Sequence, residues 1–153
     1  MTAVAPFQQP EYKTRVFIQG IMTRDLPGHI RETTEMLKLA DQAIDNVEIL
    51  SHNGYGQPMS ADIVHHPAFP VNEAVLKNAQ RQVVNCSPWS SSSCAVINNT
   101  VSMLKSCDMK IINVDNIANN GYGKILQAQV CFIPSAKYTA LMAAPPAETA
   151  TKP

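Results

Sequence analysis

Two adjacent histidines, His65 and His66, four cysteines and a serine run from Ser90 to Ser93 are the residues of this chain best suited to chemistry. Histidine supplies a base or metal ligand near neutral pH, a thiolate a nucleophile or ligand, and a hydroxyl a nucleophile once a base is in reach. Their spacing argues against each use. Neighbouring residues of an extended segment point to opposite faces, so His65 and His66 make a poor chelate, and an edge or interface role is expected for them instead. Cys86, Cys94, Cys107 and Cys131 contain no Cys-x-x-Cys and no zinc-ligand spacing, so no metal is expected. Serines ahead of a helix are ordinary N-caps. Anion binding is the weaker reading, because no glycine-rich approach and no Lys or Arg lies nearby. No Gly-x-Ser-x-Gly signature accompanies them, and no catalytic residue is assigned.

What recurs is Asn53-Gly54-Tyr55-Gly56, found again as Asn120-Gly121-Tyr122-Gly123. Laying Val16–Phe69 on Val83–Ala136 gives about 16 identities in roughly 54 ungapped positions, against about three or four by chance. Val16/Val83, Met36-Leu37-Lys38/Met103-Leu104-Lys105, Asp41/Asp108 and Asn46-Val47/Asn113-Val114 are among the matches. The chain reads as a tandem duplication. The recurrent tetrapeptide is read as the hairpin turn of each copy: Asn53-Gly54 and Asn120-Gly121 supply positive φ, Gly56 and Gly123 add permissive positions, and Tyr55 and Tyr122 pack or present a ring.

Around the turns each copy reads as strand, helix, strand, strand. In the first, 12–22 alternates as a strand with apolar residues on both faces, and Asp25 and Pro27 open a helix whose stripe is Ile30, Met36, Leu37, Ala40, Ala43 and Ile44. Val47 to Leu50 and Met59 to Val64 then form the hairpin, with Pro58 at a strand start or edge. A short helix capped by Asn72 joins the copies. In the second copy 81–86 is the strand, Val96, Ile97, Thr100, Val101, Leu104 and Cys107 the helix stripe, and 109–117 and 124–133 the hairpin strands. The divisions are an N-terminal arm 1–12, repeats 13–69 and 81–136, a connector helix 70–80, and a Pro/Ala-rich C-terminal arm 137–153.

The repeat sorts the cysteines. Cys107 aligns with Ala40 and Cys131 with Val64, so both are expected in the core. Cys86 and Cys94 flank the strand-to-helix connection. A local disulfide, two free thiols and an intermolecular bond all stay open for them.

Twelve Lys and Arg balance twelve Asp and Glu. That neutrality gives no electrostatic footprint for nucleic acid, since phosphate binding needs clustered cations. No apolar run is long enough for membrane insertion and no classical signal peptide opens the chain, so a soluble protein of the cytoplasm or of a virion is expected. Arms with so little to pack would stay disordered alone and are expected to lie on neighbouring chains.

The order of elements predicts an α+β fold, with antiparallel sheets and two main helices in a pseudo-two-fold arrangement. Each copy resembles in topology the dodecins, small strand-helix-strand-strand proteins that form hollow shells and bind flavin. That resemblance implies an assembling protein. It also implies a flavin-stacking Trp at the start of the second strand, where this chain has Asn46 and Met109; the single tryptophan, Trp89, falls in a loop. No flavin or other cofactor is therefore expected. The function expected is a non-enzymatic structural subunit whose partners are other protein chains, in a homo- or hetero-oligomer. The alternative is a small-molecule-binding or catalytic protein with a site between the repeats, using His29, His65, His66, Asp62, Tyr55 or Tyr122.

Overall fold

The structure is a computed structural model and describes residues 9–18, 26–86, 94–119 and 125–143. Strand β1 (Tyr12–Phe17), helix α1 (Leu26–Leu39) and strands β2 (Gln42–His52) and β3 (Pro58–Pro67) form the first half. A short helix α2 (Glu73–Asn78) leads to β4 (Gln80–Asn85), α3 (Cys94–Ser106), β5 (Met109–Asn119) and β6 (Ile125–Pro134), followed by α4 (Ser135–Ala143). The fold is α+β, with two three-stranded antiparallel sheets of matching order, β1-β3-β2 and β4-β6-β5. In each, the last strand is central and the helix joins the two outer strands.

The halves share more than their order. Register shifts at Ile44/Asn46, Ile49/Ser51 and Ser51/His52 in β2 recur at Ile111/Asn113, Asn116/Ala118 and Ala118/Asn119 in β5. The first two of each set are an extra residue on the outer strand, Asp45 and Leu50 in β2 and Ile112 and Ile117 in β5, and the third is an extra residue on the central strand, Met59 in β3 and Leu126 in β6. The first strands carry a different offset. Lys13 opposes Val64 and Arg81 opposes Cys131, so Val16 is the equivalent of Val84, which is buried, and not of Val83, which is exposed. Ile18 and Cys86 likewise correspond, each donating its N–H to the strand beside it, to Met59 and Leu126. The sequence match of Val16 to Val83 is one residue out. The slack is taken up in the helix, 14 residues in α1 and 13 in α3.

Several expected boundaries move. Helix α1 ends at Leu39, and Ala43 and Ile44 lie on β2, not on the helix stripe. The stop is made by Asp41, whose φ of 61° is left-handed, and Asp108 ends α3 at 62°. Asp41 and Asp108 offer their carbonyls to the N–H groups of Ala68 and Ser135, tying each helix end to the exit of the central strand. The helix begins at Leu26; the expected cap Asp25 lies outside the described residues, as do 19–22 of the expected first strand. Asn72 caps α2 as expected, its Oδ1 accepting from Val75 N–H at 2.9 Å. The start of the expected C-terminal arm is helical: α4 docks through Tyr138, whose hydroxyl donates to the Pro70 carbonyl at 2.6 Å.

One core joins the halves, with Val16, Leu26, Met36, Leu37 and Ile63 meeting Ile97, Val101, Val114, Val130 and Phe132 between the sheets and helices α1 and α3. A second cluster, Val71, Val75, Ile112, Cys131 and Ile133, fills the other face of the second sheet, with Phe69, Tyr138 and Leu141 packed on it. Phe69 and Tyr138 meet edge-on at 5.3 Å, and the Lys110 ammonium lies 4.3 Å from the Phe69 ring centre. Cys131 is buried as expected. Cys107 is exposed, although its equivalent Ala40 is buried: the turn after α1 that bears Ala40 is covered, and the turn after α3 is not.

Candidate functional site

The residues picked out as chemistry-bearing are divided by the pleat of β3. His65 points into the core beside Ala61 and Ile63, fully buried. Thr14 Oγ1 lies 2.8 Å from its Nε2, and Gln42 Oε1 lies 2.8 Å from its Nδ1. Gln42 Nε2 donates onward to the carbonyl of Ile112 in the second half. Since Gln42 spends its amide hydrogens on Ile112, its oxygen accepts from Nδ1–H, and Nε2 accepts the Thr14 hydroxyl. The imidazole is thus satisfied as a neutral ring. Burial lowers its pKa to about 4, a fall that Asp45 opposes and His66 reinforces. His65 therefore belongs to a polar seam between the halves, on a central strand and not on an edge.

Asp62 and His66 lie on the opposite face of β3. Asp62 is paired with Arg15 (Nε to Oδ1 2.9 Å), and His66 Nδ1 lies 2.8 Å from Asp45 Oδ2. His29 sits half-buried on α1, and Tyr55 stands exposed at a hairpin tip. These groups are each engaged separately or far apart in the fold, and they do not converge on one cleft. Tyr122 lies outside the described residues with Asn120, Gly121 and Gly123. Among the described residues no cluster of three or more His, Cys, Asp or Glu gathers as a metal site.

At the first hairpin, Asn53 organises the turn. Its Oδ1 accepts from the N–H groups of Tyr55 (2.7 Å) and Gln57 (3.1 Å), and Gly56 N–H donates back to the Asn53 carbonyl at 3.2 Å. The positive φ falls on Gly56, at 79°, and Gly54 carries none. Glycine is thus demanded one step after the Asx turn, where a left-handed residue returns the chain to β3.

Cys86 and Cys94 are both buried free thiols. Burial pushes the Cys94 thiol up to about 12, with smaller pushes from Glu32 and from Cys86, and burial raises Cys86 as well. Neither is poised as a nucleophile.

The surface with the clearest unmet demand is a pair of strand edges. From Asp45 to His52 every residue of β2 is exposed, and Val47, Ile49 and Leu50 present large apolar side chains there. Opposed to Ile63 and Ala61, Val47 and Ile49 are on the core-facing side of the sheet. Their equivalents in β5 are Val114 and Asn116. Val114 is 1% exposed where Val47 is 36%: β5 has β1 of the other half against it, whereas among the described residues β2 meets the other half through Gln42 at its start and is exposed from Asp45 onward. The other outer strand, β4, is exposed at every position except Val84 and carries Val83 at 44%. Leu39 and Met103 add exposed apolar surface near the ends of α1 and α3. Sequence reasoning took 47–50 as a strand of the hairpin, which leaves open whether that strand is buried or lies at an edge. The run of apolar groups on both faces is the same signal in either case, and only the position of the strand in the sheet separates them.

Gln9, the first described residue, is tied to the end of β3 and the segment after it. Gln9 Nε2 donates to the carbonyls of Pro67 and Phe69, and its Oε1 accepts from Val71 N–H at 3.1 Å. A shallow depression lies there, lined by Gln9, His66 and 67–70. No described helix is long and apolar enough to cross a membrane. No family model, curated protein or solved structure matches this chain.

Proposed function

We propose that the chain is a non-enzymatic structural subunit of a larger protein assembly, such as a virion component or a part of a multi-protein machine, held to its neighbours through sheet edges and terminal arms. The observation that carries this reading is the β2 edge, where Val47, Ile49 and Leu50 stand exposed on a strand that pairs with β3 on one side and with no described strand on the other. Folded monomers blunt such edges with charge, proline or a covering segment, because an open apolar edge invites another chain. Asp45 and Glu48 are the only charges on this stretch, and Asp45 is engaged with His66. A small-molecule site between the halves would have to displace Thr14, His65 and Gln42, whose polar groups already satisfy one another. The chain as purified should therefore run above monomer mass in native mass spectrometry or light scattering, or copurify with defined partners. A lone monomer with freely digested tails would overturn the reading.

A further inference from the structure

The way the two halves meet inside one chain describes a contact that each chain leaves unmade at its ends. Within the chain β5 packs against the first sheet, meeting β1 and β3 and receiving the Gln42 amide of β2 on the Ile112 carbonyl, and at β1 Asn116 Nδ2 donates to the Arg15 carbonyl at 3.2 Å. At the helix ends, Lys105 Nζ reaches the Leu39 carbonyl at 3.2 Å and Asp41 Oδ1 at 3.1 Å. By the structural equivalence of the halves, the counterpart of β5 is β2, and that of β1 is β4. These are the two exposed outer edges. Asn116 corresponds to Ile49 and Arg15 to Val83, while Lys105 and Asp41 correspond to Lys38 and Asp108.

Burial follows the same logic on each element. Thr14 of β1 is buried and its counterpart Gln82 is exposed; Val114 is buried and its counterpart Val47 is not. Met36 of α1 is 1% exposed, whereas Met103, its sequence match on α3, is 59%. The residues differ little in kind, so what separates each pair is the presence of a neighbouring half. Were the halves related by a closed two-fold, β2 would meet β4 as β1 meets β5; the exposure of both edges marks them as open ends.

We infer that the β2 edge of one copy seats beside the β4 edge of a second copy of this chain, repeating between molecules the contact that β5 makes with β1 within one. The occupant is a second copy because the contact continues an interface already present, half after half in the same order. The exposed apolar groups Leu39, Val47, Ile49 and Leu50 then lie on one side of the seam, and Val83 and Met103 on the other, with Lys38 of one copy facing Asp108 of the next. Such a contact is heterologous: copies add head to tail and close into a ring or extend as a filament, as the rotation between halves dictates. The inference rests on the assembly reading and names its partner.

Two edge-blocked chains test it. Ile49→Lys disables the β2 edge and Val83→Lys the β4 edge; both side chains are exposed, and circular dichroism melting should confirm that each variant folds. In native mass spectrometry the parent chain should appear as a ring or ladder, and each variant alone as a monomer. An equal mixture of the two should form a dimer of twice the monomer mass and go no further, because each variant keeps one working edge. If Val83→Lys self-associates into dimers while Ile49→Lys does not, β2 pairs with β2 and the head-to-tail seam is wrong. If both variants assemble like the parent, the inference falls while the assembly reading stands. A parent chain that is monomeric at high micromolar concentration overturns the inference, and overturns the assembly reading too if no partner protein copurifies.

Discussion

Asp41 and Asp108 end the two long helices in the same left-handed conformation, with φ of 61° and 62°, yet among the described residues only Asp41 has a close cation, Lys105 Nζ at 3.1 Å. An L-residue in this conformation costs on the order of 1 kcal/mol, which glycine escapes. Asp108→Gly should therefore stabilise the chain by up to about 1 kcal/mol in urea unfolding. Asp41→Gly should gain less, because it also removes an ion pair contributing about 0.2–1 kcal/mol at such exposure. The two are to be compared at one protein concentration, and equal gains would mean that the Lys105 pair contributes nothing.

His65 should give the stability a recognisable pH dependence. The folded ring resists protonation down to about pH 4, whereas the unfolded ring takes a proton near its ordinary value of 6.5. Below pH 6.5 the unfolded state thus binds more protons, and stability falls as the pH drops from 6.5 to 4, by up to about 3 kcal/mol. Phenylalanine stands at the equivalent position as Phe132. His65→Phe should lower stability at pH 8, by taking the partner from the Thr14 hydroxyl and the Gln42 oxygen, and should flatten the curve between pH 6.5 and 4 relative to the parent. An unchanged slope would place the titrating group elsewhere.

The hairpin separates its two glycines. Gly56→Ala should cost about 1 kcal/mol, because the left-handed position resists a side chain. Gly54→Ala should be close to neutral: an added Cβ meets nothing within 4 Å and the residue has no positive φ. Thermal melts of both variants would decide it, and the reverse order of sensitivity would mean that the turn is of another type.

Thiol reactivity distinguishes the buried cysteines from the exposed one. In a chain carrying both Ile49→Lys and Val83→Lys, Cys107 should react quickly with a thiol reagent, and Cys86, Cys94 and Cys131 slowly. After denaturation without reductant all four should titrate. Recovery of only two would reveal a Cys86–Cys94 bridge.

Charge reversal examines the register of the inferred seam. Lys38→Glu or Asp108→Lys alone should weaken self-association by a modest factor, up to about five-fold for an exposed pair. A chain carrying both changes should regain it, since the pair is restored with its signs exchanged. Failure of the double change to recover would shift the register away from Lys38 and Asp108.

By itself the sequence determined the local plan. Two runs of strand, helix, strand and hairpin strand are written in its periodicities, in the Asn-Gly-Tyr-Gly turn and in the cap at Asn72, because these depend on residues close together in the chain. Where a local signal was ambiguous, the tertiary structure decided. The α1 stripe ran on to Ile44 in the sequence, since a helix and a buried strand both place apolar groups there, and Asp41 gives no glycine-like signal for its left-handed turn. Val16 matched Val83 by identity, but pairing with β3 and β6 makes Val84 its counterpart, a slip that moves a side chain to the other face. Cys107 looked like Ala40 and is exposed; Val47 looked like Val114 and is exposed as well. In those last two pairs the sequence position is the same and the environment is not. Burial is a property of what lies alongside, and one half has a neighbour where the other presents an open edge.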